Sequence, residues 1–477
     1  MISVGGFREG EINGKPFHIF NFLSQTDTPT SSSEAAIDSG DDEDFPPFQP
    51  LFVLTFYRWM FSLNPYFFNK RSGDKQFRFL IGSSVYHHTY CVYHPYVIRI
   101  SRHHHRVSFT SSPPSKKLIC GVCRRKVDSS YGAYACNKCD DYFVHTKCAL
   151  RKDLWDGKEL EGIPEEPEMV VEPLERFSDG VILHFSHDHR LKLEISGAYD
   201  EEKFCQACSL PIYEGSSYYS CMDQCDFILH EACAKAPFQK QHAIHAHSLT
   251  LKKVGNIQVS GGRGHFYCWA CGRLRTGFVY EDPNSRFHLD LRRASVAEPF
   301  QYEGHEHPLF LALIPEEEES AICQICQEEG EEDNNGDHQK PKLLTCIECK
   351  YIICFKCATL PYKARYKYDN HFLIFRKKEE GNDHHGWCDI CESKIIFSRK
   401  GGFYSCDDYC STTVHVDCLL GKYPYMKPGQ IRYWGRDVVI LRNKTMSRPL
   451  CHGTEHRCQD KVVLKKENMT FCSLRCL

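Results

Sequence analysis

The sequence predicts small α+β modules in tandem, each built from short β-hairpins, one short helix and a metal-held centre. Three observations lead there. Cysteines recur in closely spaced pairs, and each second pair is followed by a His-x2-Cys or Cys-x2-Cys pair. Each such block runs for roughly 50 residues, too few to bury the apolar surface that would offset chain entropy without a staple. Finally, 26 histidines accompany 28 cysteines, a combination that metal chelation uses and disulfide bonding does not.

The clearest block reads Cys388-x2-Cys391, Cys406-x3-Cys410 and His415-x2-Cys418. Cys120-x2-Cys123, Cys136-x2-Cys139 and His145-x2-Cys148 spell it again, as do Cys205-x2-Cys208, Cys221-x3-Cys225 and His230-x2-Cys233. A further copy runs Cys323-x2-Cys326, Cys346-x2-Cys349 and Cys354-x2-Cys357. Its Cys354 stands where the others have histidine, and the swap keeps the site because thiolate and imidazole are both zinc ligands. A His-x-His pair or near equivalent precedes each copy: His103 and His105, His187 and His189, His305 and His307, Asp369 and His371. Residues two apart on a strand share a face, so such a pair can reach one ion. Eight ligands per block make two tetrahedral sites, so Zn2+ is the expected cofactor at about two ions per intact module. Zinc is worth on the order of 10 kcal/mol or more of folding free energy in finger peptides, enough to hold a unit of this size.

The expected organisation is a series of separate metal-held units at 103–160, 187–240, 245–295, 305–362 and 369–422, followed by a Cys-rich extension at 423–477. The unit at 245–295 is degenerate. His245-Ala-His247 opens it and Cys268-x2-Cys271 follows, but the second Cys pair is missing, and His288-Leu-Asp-Leu291 is read as a closing pair that has lost its cysteine. Cys268, Cys271 and His288 are its surviving candidate ligands, and decay of one repeat explains them without new chemistry. In the extension, a strand-like Asp437-Val-Val-Ile-Leu leads to Cys451, Cys458, Cys472 and Cys476, candidates for one more zinc with His452 or His456 as substitutes. Residues 1–102 are poorly assigned: 24–50 read as a disordered linker, and His88-x2-Cys91 resembles the tail of an eroded module. The insertion at 327–342 is read as the most variable surface of the array.

Within a module, Leu191-Lys-Leu and Ser217-Tyr-Tyr-Ser have the residue types of hairpin strands. The stretch after His230 reads as one or two helical turns that place His230 and Cys233 on one face. Tyr134, Phe143, Tyr219, Phe227 and Tyr404 recur beside the ligands and are expected to form the small core of each module.

Composition narrows the function. A formal charge of -3 provides no long-range attraction for nucleic acid. Residues 51–68 are apolar but interrupted by Arg58 and Asn64, so no membrane span is expected. The first residues lack the apolar stretch of an export signal, which predicts a reducing compartment, cytoplasm or nucleus, and makes the Asn443 and Asn468 sequons chance matches.

The order His187-x-His189-x-Leu, Cys205-x2-Cys208, Tyr219-x-Cys221-x3-Cys225, Phe227-x-x-His230-x2-Cys233-Ala resembles the divergent C1 (cysteine/histidine-rich C1) domains of plant proteins. The resemblance covers 103–420, and the tail is similar to that family's C-terminal extension. It implies crossed-brace C1-like zinc fingers, in which the first Cys pair shares an ion with the closing pair. On that reading Cys120, Cys123, His145 and Cys148 hold one zinc, and Cys136 and Cys139 hold the other with histidines from the His103 to His105 region. In a parent C1 domain the last ligand follows the closing Cys, so His242 competes with His187 or His189 in the second module. Lipid-binding C1 domains typically carry Gln-Gly before the third cysteine, and Tyr131-Gly-Ala-Tyr-Ala and Gly401-Gly-Phe-Tyr-Ser lack it, which argues against diacylglycerol. The leading functional reading is a non-catalytic interaction scaffold in plant signalling or stress response, with other proteins as partners. The alternatives are a zinc-finger reader of chromatin or nucleic acid, and a Cys-x2-Cys disulfide reductase. The reductase would need a low-pKa thiol at a helix start in a βαβ context.

Overall fold

The computed structural model describes residues 94–477 apart from 115–117, 129–131, 166–170, 224, 257, 260–261, 313–321, 328–341, 378–385, 396–400, 409 and 445–447. Upstream it describes the backbone of two hairpins, Phe7–Ile12 with Lys15–Phe20 and Arg78–Phe79 with Val85–Tyr86. The linker at 24–50, the apolar stretch at 51–68, the His88 to Cys91 motif and nearly all of the insertion at 327–342 lie outside the described residues. Among the described residues, no helix is long and apolar enough to cross a membrane.

One strand order repeats. The residues after the His-x-His pair form a strand that pairs antiparallel with the strand ending near the third cysteine, which pairs in turn with a short strand entering a helix of one turn. In the second module these are Arg190–Ile195, Ser217–Cys221, Ile228–His230 and the helix Glu231–Ala234. In the fifth they are Phe372–Arg376, Phe403–Cys406, Thr413–His415 and Val416–Leu420. Strand pairing positions the ligands: Val107, Leu191, Leu309 and Leu373 lie directly opposite Cys136, Cys221, Cys346 and Cys406. That register carries each preceding His pair to the second Cys pair.

The chain divides into two compact units. The first comprises residues 1–100, 104–151 and 157–163 and contains a four-stranded sheet in the order Phe143–His145, Ala133–Cys136, Val107–Thr110, Val97–Ile98. Tyr134 is fully buried there and its hydroxyl donates to the Pro95 carbonyl at 2.6 Å. The second unit comprises residues 101–103, 152–156 and 164–477. It uses the same device twice, Tyr280 donating to Pro237 O and Tyr404 to Pro361 O, each at 2.6 Å. A buried phenol needs such an acceptor, and the carbonyl of a residue just before the module provides it.

Within the second unit the four modules are not separate beads. One apolar cluster runs from Ile182 and Leu191 through Leu249, Phe266 and Tyr280 to Leu344, Phe355, Leu373 and Tyr404. The sequence predicts small metal-held units in tandem, and in this unit each small sheet leaves an apolar face that a neighbour covers. Gly277 marks a tight approach: it has φ +98°, and a Cβ there would lie 2.2 Å from the Ala207 carbonyl oxygen. Tyr425, at the start of the extension, hydrogen-bonds Thr359 O through its hydroxyl and accepts from Thr276 N at its carbonyl.

The extension folds around Val438, Ile440, Leu464 and Phe471. Its six-stranded sheet borrows a hairpin from the third module, Gln258–Val259 with Gly262–Arg263, which adds to Gly429–Tyr433. The predicted strand at 437–441 lies inside Arg436–Arg442.

Gly277→Ala is expected to lower the stability of the second unit by about 2 kcal/mol or more, since it meets both a left-handed backbone and a carbonyl. Denaturant unfolding of the full chain followed by tryptophan fluorescence measures it.

Candidate metal centres

The first Cys-x2-Cys pair of each module sits on a knuckle whose backbone turns back on itself. The amide four residues after the first cysteine donates to that cysteine's carbonyl: Arg124 to Cys120, Ser209 to Cys205, Gly272 to Cys268, Gln327 to Cys323 and Glu392 to Cys388. The donor residue has positive φ every time, from 51° to 64°. This turn aims both sulfurs at one point. The third cysteine receives further amides, with Lys138 N, Asp223 N, Glu348 N and Asp408 N at 3.3–3.4 Å from Cys136, Cys221, Cys346 and Cys406 Sγ. Such N–H···S bonds stabilise thiolates.

The knuckles meet the closing pairs. Cys120, Cys123, His145 and Cys148 have their ligand atoms within 4.8 Å of one another, as do Cys205, Cys208, His230 and Cys233. His145 Nδ1 is 3.3 Å from Cys123 Sγ, His230 Nδ1 is 3.4 Å from Cys208 Sγ and His415 Nδ1 is 3.4 Å from Cys391 Sγ. The other ring nitrogen faces a backbone carbonyl in two cases, Lys126 O at 3.1 Å from His145 Nε2 and Pro211 O at 3.2 Å from His230 Nε2. An Nε2–H donating there holds the tautomer in which the Nδ1 lone pair is available to a metal ion. In the fourth module Cys326 Sγ lies 3.7 Å from Cys354 Sγ, and Cys323 contacts Cys326, Cys354 and Cys357.

The second sites converge equally. His105 gathers with Cys136 and Cys139, His187 and His189 with Cys221 and Cys225, and His305 and His307 with Cys346 and Cys349. In the fifth module Cys410 Sγ is 3.0 Å from Asp369 Oδ2 and 3.5 Å from His371 Nδ1, and the free thiols of Cys406 and Cys410 are hydrogen-bonded to each other. The tail brings Cys451, Cys458, Cys472 and Cys476 together, with Cys472 and Cys476 sulfurs 3.6 Å apart. His452 and His456 meet the carbonyls of Thr470 and Thr454 through Nδ1.

These donor sets fit zinc on two grounds. His307 Nδ1 is buried without a hydrogen bond while its Nε2 pairs with Glu348 at 3.0 Å, leaving an inward lone pair that a cation would satisfy. The thiols are also too crowded to ionise together unaided: a hydrogen bond from Cys148 pulls Cys120 down to about 4, and the same contact pushes Cys148 far up. Cys388 and Cys418 repeat that split, with Cys388 at about 4. A dication would deprotonate both partners and make every sulfur a ligand.

Two sequence-based assignments change. His242 is buried away from the cysteines, its Nδ1 near the Ile244 amide at 3.4 Å and its ring edge-on to Phe355. The second site of the second module is completed by His187 and His189. His288 is also misplaced. Strand register sets Ala133, Tyr218, Leu343 and Phe403 opposite His145, His230, Cys354 and His415, and in the third module it sets Val279 opposite Asp290. Asp290 and Arg293 therefore occupy the closing His and Cys positions, and His288 lies two residues upstream. The shared Phe-x-x of Phe227-Ile-Leu-His230 and Phe287-His-Leu-Asp290 was the available signal.

At that first site, arginine fills the place where a zinc ion would sit. Arg293 is fully buried, with Nη1 3.4 Å from Asp290 Oδ1, and Arg275 Nε is 3.4 Å from Asp290 Oδ2. Arg275 Nη2 donates to Cys271 Sγ at 3.1 Å, and both guanidinium groups lie 4.2–4.4 Å from the centre of the Tyr425 ring. Burial opposes ionisation of Asp290, yet Arg293 and Arg275 hold its carboxyl below the ordinary range. Burial also opposes a Cys271 thiolate, which a hydrogen bond from Cys268 and the two arginines favour strongly. Two cations thus balance two anions, and Asp290 additionally caps its helix by accepting from Arg292 N and Arg293 N.

With the geometry in place, comparison with known proteins identifies the repeats. The C1 domain family matches residues 101–149, 185–234 and 366–419, and the C1 domain-like, C-terminal family matches 438–477. The chain carries three C1 domains and a C1-like C-terminal domain. No curated protein and no solved structure matches it. The third and fourth modules lie outside the matched ranges, yet both repeat the C1 strand order, and the fourth retains a complete ligand set. This C1 protein is a zinc-binding multi-module chain.

Two metal counts test these assignments. Cys148→Ser is expected to lower zinc by about one ion per chain, because the second site of that module keeps its own ligands. Asp290→His combined with Arg293→Cys is expected to raise it by about one, and His242→Phe to leave it unchanged, by elemental analysis of the purified chain.

Proposed function

We propose that this C1 domain protein is a non-catalytic interaction scaffold, in plant signalling or stress response, whose partners are other proteins. The observation that carries this reading is that every Cys-x2-Cys knuckle turns onto further ligand-type or charged groups, so the thiols belong to structural centres. The knuckles lie on turns before strands, whereas a redox-active pair would sit at a helix start with an exposed, low-pKa thiol. The helices that do follow the motifs span four or five residues. With about two ions in each of four modules and one in the tail, the array would carry about nine structural zinc ions.

A scaffold reading also agrees with what remains at the surface. Ile195 on the second module, Tyr368 and Trp387 on the fifth and Trp434 on the extension are more than half exposed, anchors of the kind that protein interfaces use. A net charge of -3 favours protein partners over nucleic acid.

Proximity labelling in plant cells tests this, with soluble signalling proteins as the expected recovery. Enrichment of histones would support the reader alternative instead. Co-sedimentation with phosphatidylcholine vesicles containing diacylglycerol is expected to leave the protein in the supernatant. A free-thiol count that is low before chelation and full after it would rule against a reductase.

A further inference from the structure

The third module has lost its first site to arginine, but its second site is rebuilt with different donors. We propose that His245, His247 and Asp282 bind one divalent transition-metal ion in a three-ligand site with an open coordination position. The strand register carries the assignment. Thr250 pairs with Glu281, and one step further along the same antiparallel pairing sets Leu249 opposite Asp282. Leu191 faces Cys221 in the second module, so Asp282 stands where the third cysteine stands elsewhere.

The histidines present the ring atoms used in the intact module. His187 approaches Cys221 through Nε2 at 3.2 Å and His189 approaches Cys225 through Nδ1 at 3.1 Å. Likewise, His245 Nε2 lies 2.8 Å and His247 Nδ1 lies 3.3 Å from Asp282 Oδ2. The His245 ring is stacked on Phe287 with centroids 4.1 Å apart, matching His187 on Phe227 at 4.2 Å and His305 on Tyr351 at 4.4 Å. His247 Nδ1 is buried and makes no hydrogen bond, the same signature that His307 Nδ1 shows in the fourth module. Donors around a tetrahedral ion with bonds of 2.0–2.1 Å are about 3.3 Å apart, so His245 would need to withdraw by only about half an ångström.

The fourth position differs from every other module. Ser285 follows Asp282 at the spacing that Cys139 keeps from Cys136 and Cys349 from Cys346. Its hydroxyl donates to Asp282 Oδ2 at 2.8 Å, and the Asn284 amide donates to Oδ1 at 2.9 Å, which orients the carboxylate. A neutral hydroxyl already used as a donor is a poor ligand beside a thiolate, so the fourth place falls to water or an exogenous anion. Two imidazoles and one carboxylate without sulfur suit zinc, cobalt(II) or iron(II), and three protein ligands with a vacancy are the arrangement of exchangeable sites.

The test uses the full chain reconstituted with Co2+. Asp282→Ala and His247→Ala are each expected to lower bound cobalt by about one ion while leaving the intense thiolate-to-cobalt absorption of the cysteine sites unchanged. Asp282→Cys is expected to retain the ion and add to that absorption, which separates ligand loss from misfolding. Azide is expected to shift the weak visible bands of the wild type and to have no such effect on Asp282→Ala. Equal cobalt content in wild type, Asp282→Ala and His247→Ala would overturn the proposal and leave a hydrogen-bonded His–Asp pair. Metal loss in the variants with no azide response in the wild type would overturn the open position.

Discussion

Cross-chain chelation governs the architecture of this C1 protein. A knuckle early in each module and a His-x2-Cys or Cys-x2-Cys pair late in it must reach the same ion, and the residues between them can do so only by folding back as antiparallel strands. The register that results, with Leu191 opposite Cys221 or Leu373 opposite Cys406, then delivers the His-x-His pair to the second Cys pair. Helix propensity has little to do with it. The helices are single turns that would not form in isolation, and their role is to set the closing ligands at i and i+3.

Metal alone does not complete the second unit. Each sheet is small and one-sided, and the apolar faces of successive modules merge into a common core that includes Gly277 against Ala207 and Tyr425 against Thr276 and Thr359. The third module is joined to the extension through its first centre. Its first centre has exchanged a dication for two guanidinium groups balanced by Asp290 and Cys271, and both stack on Tyr425 from the extension. Removing one partner from such a cluster leaves a buried charge uncompensated, which is the costly case for ion pairs. That gives a physical reason for the module to keep Cys271 without needing it as a metal ligand.

Much of the site was legible in the sequence because ligand chemistry is written in residue identity and spacing. The eight-ligand strings around Cys205, Cys323 and Cys388 and the four-cysteine tail each converge in space. Tyr134, Tyr219 and Tyr404 are core residues as their offsets implied. The failures came where identity misled. His288 is a ligand-type residue at a non-ligand position, and His242 lies where a C1 ligand would fall but turns toward Phe355. Asp290, Arg293 and Asp282 are not legible as site residues in the sequence, because none of them reads as part of a Cys/His motif. Only pairing Val279 with Asp290 and Thr250 with Glu281 shows which positions they hold.

The sequence by itself determined the candidate chemistry of the chain: cysteines and histidines at metal-ligand spacing, in modules too short to rest on a large apolar core of their own. Those properties are local, since a knuckle or a closing pair is complete within a few residues. The tertiary structure decided which ligands share an ion, that the second to fifth modules share one core, and what replaced the metal at the first centre of the third module. Those outcomes depend on strand register and on contacts between residues far apart in the chain, such as Arg293 with Tyr425, and no short-range spacing encodes them.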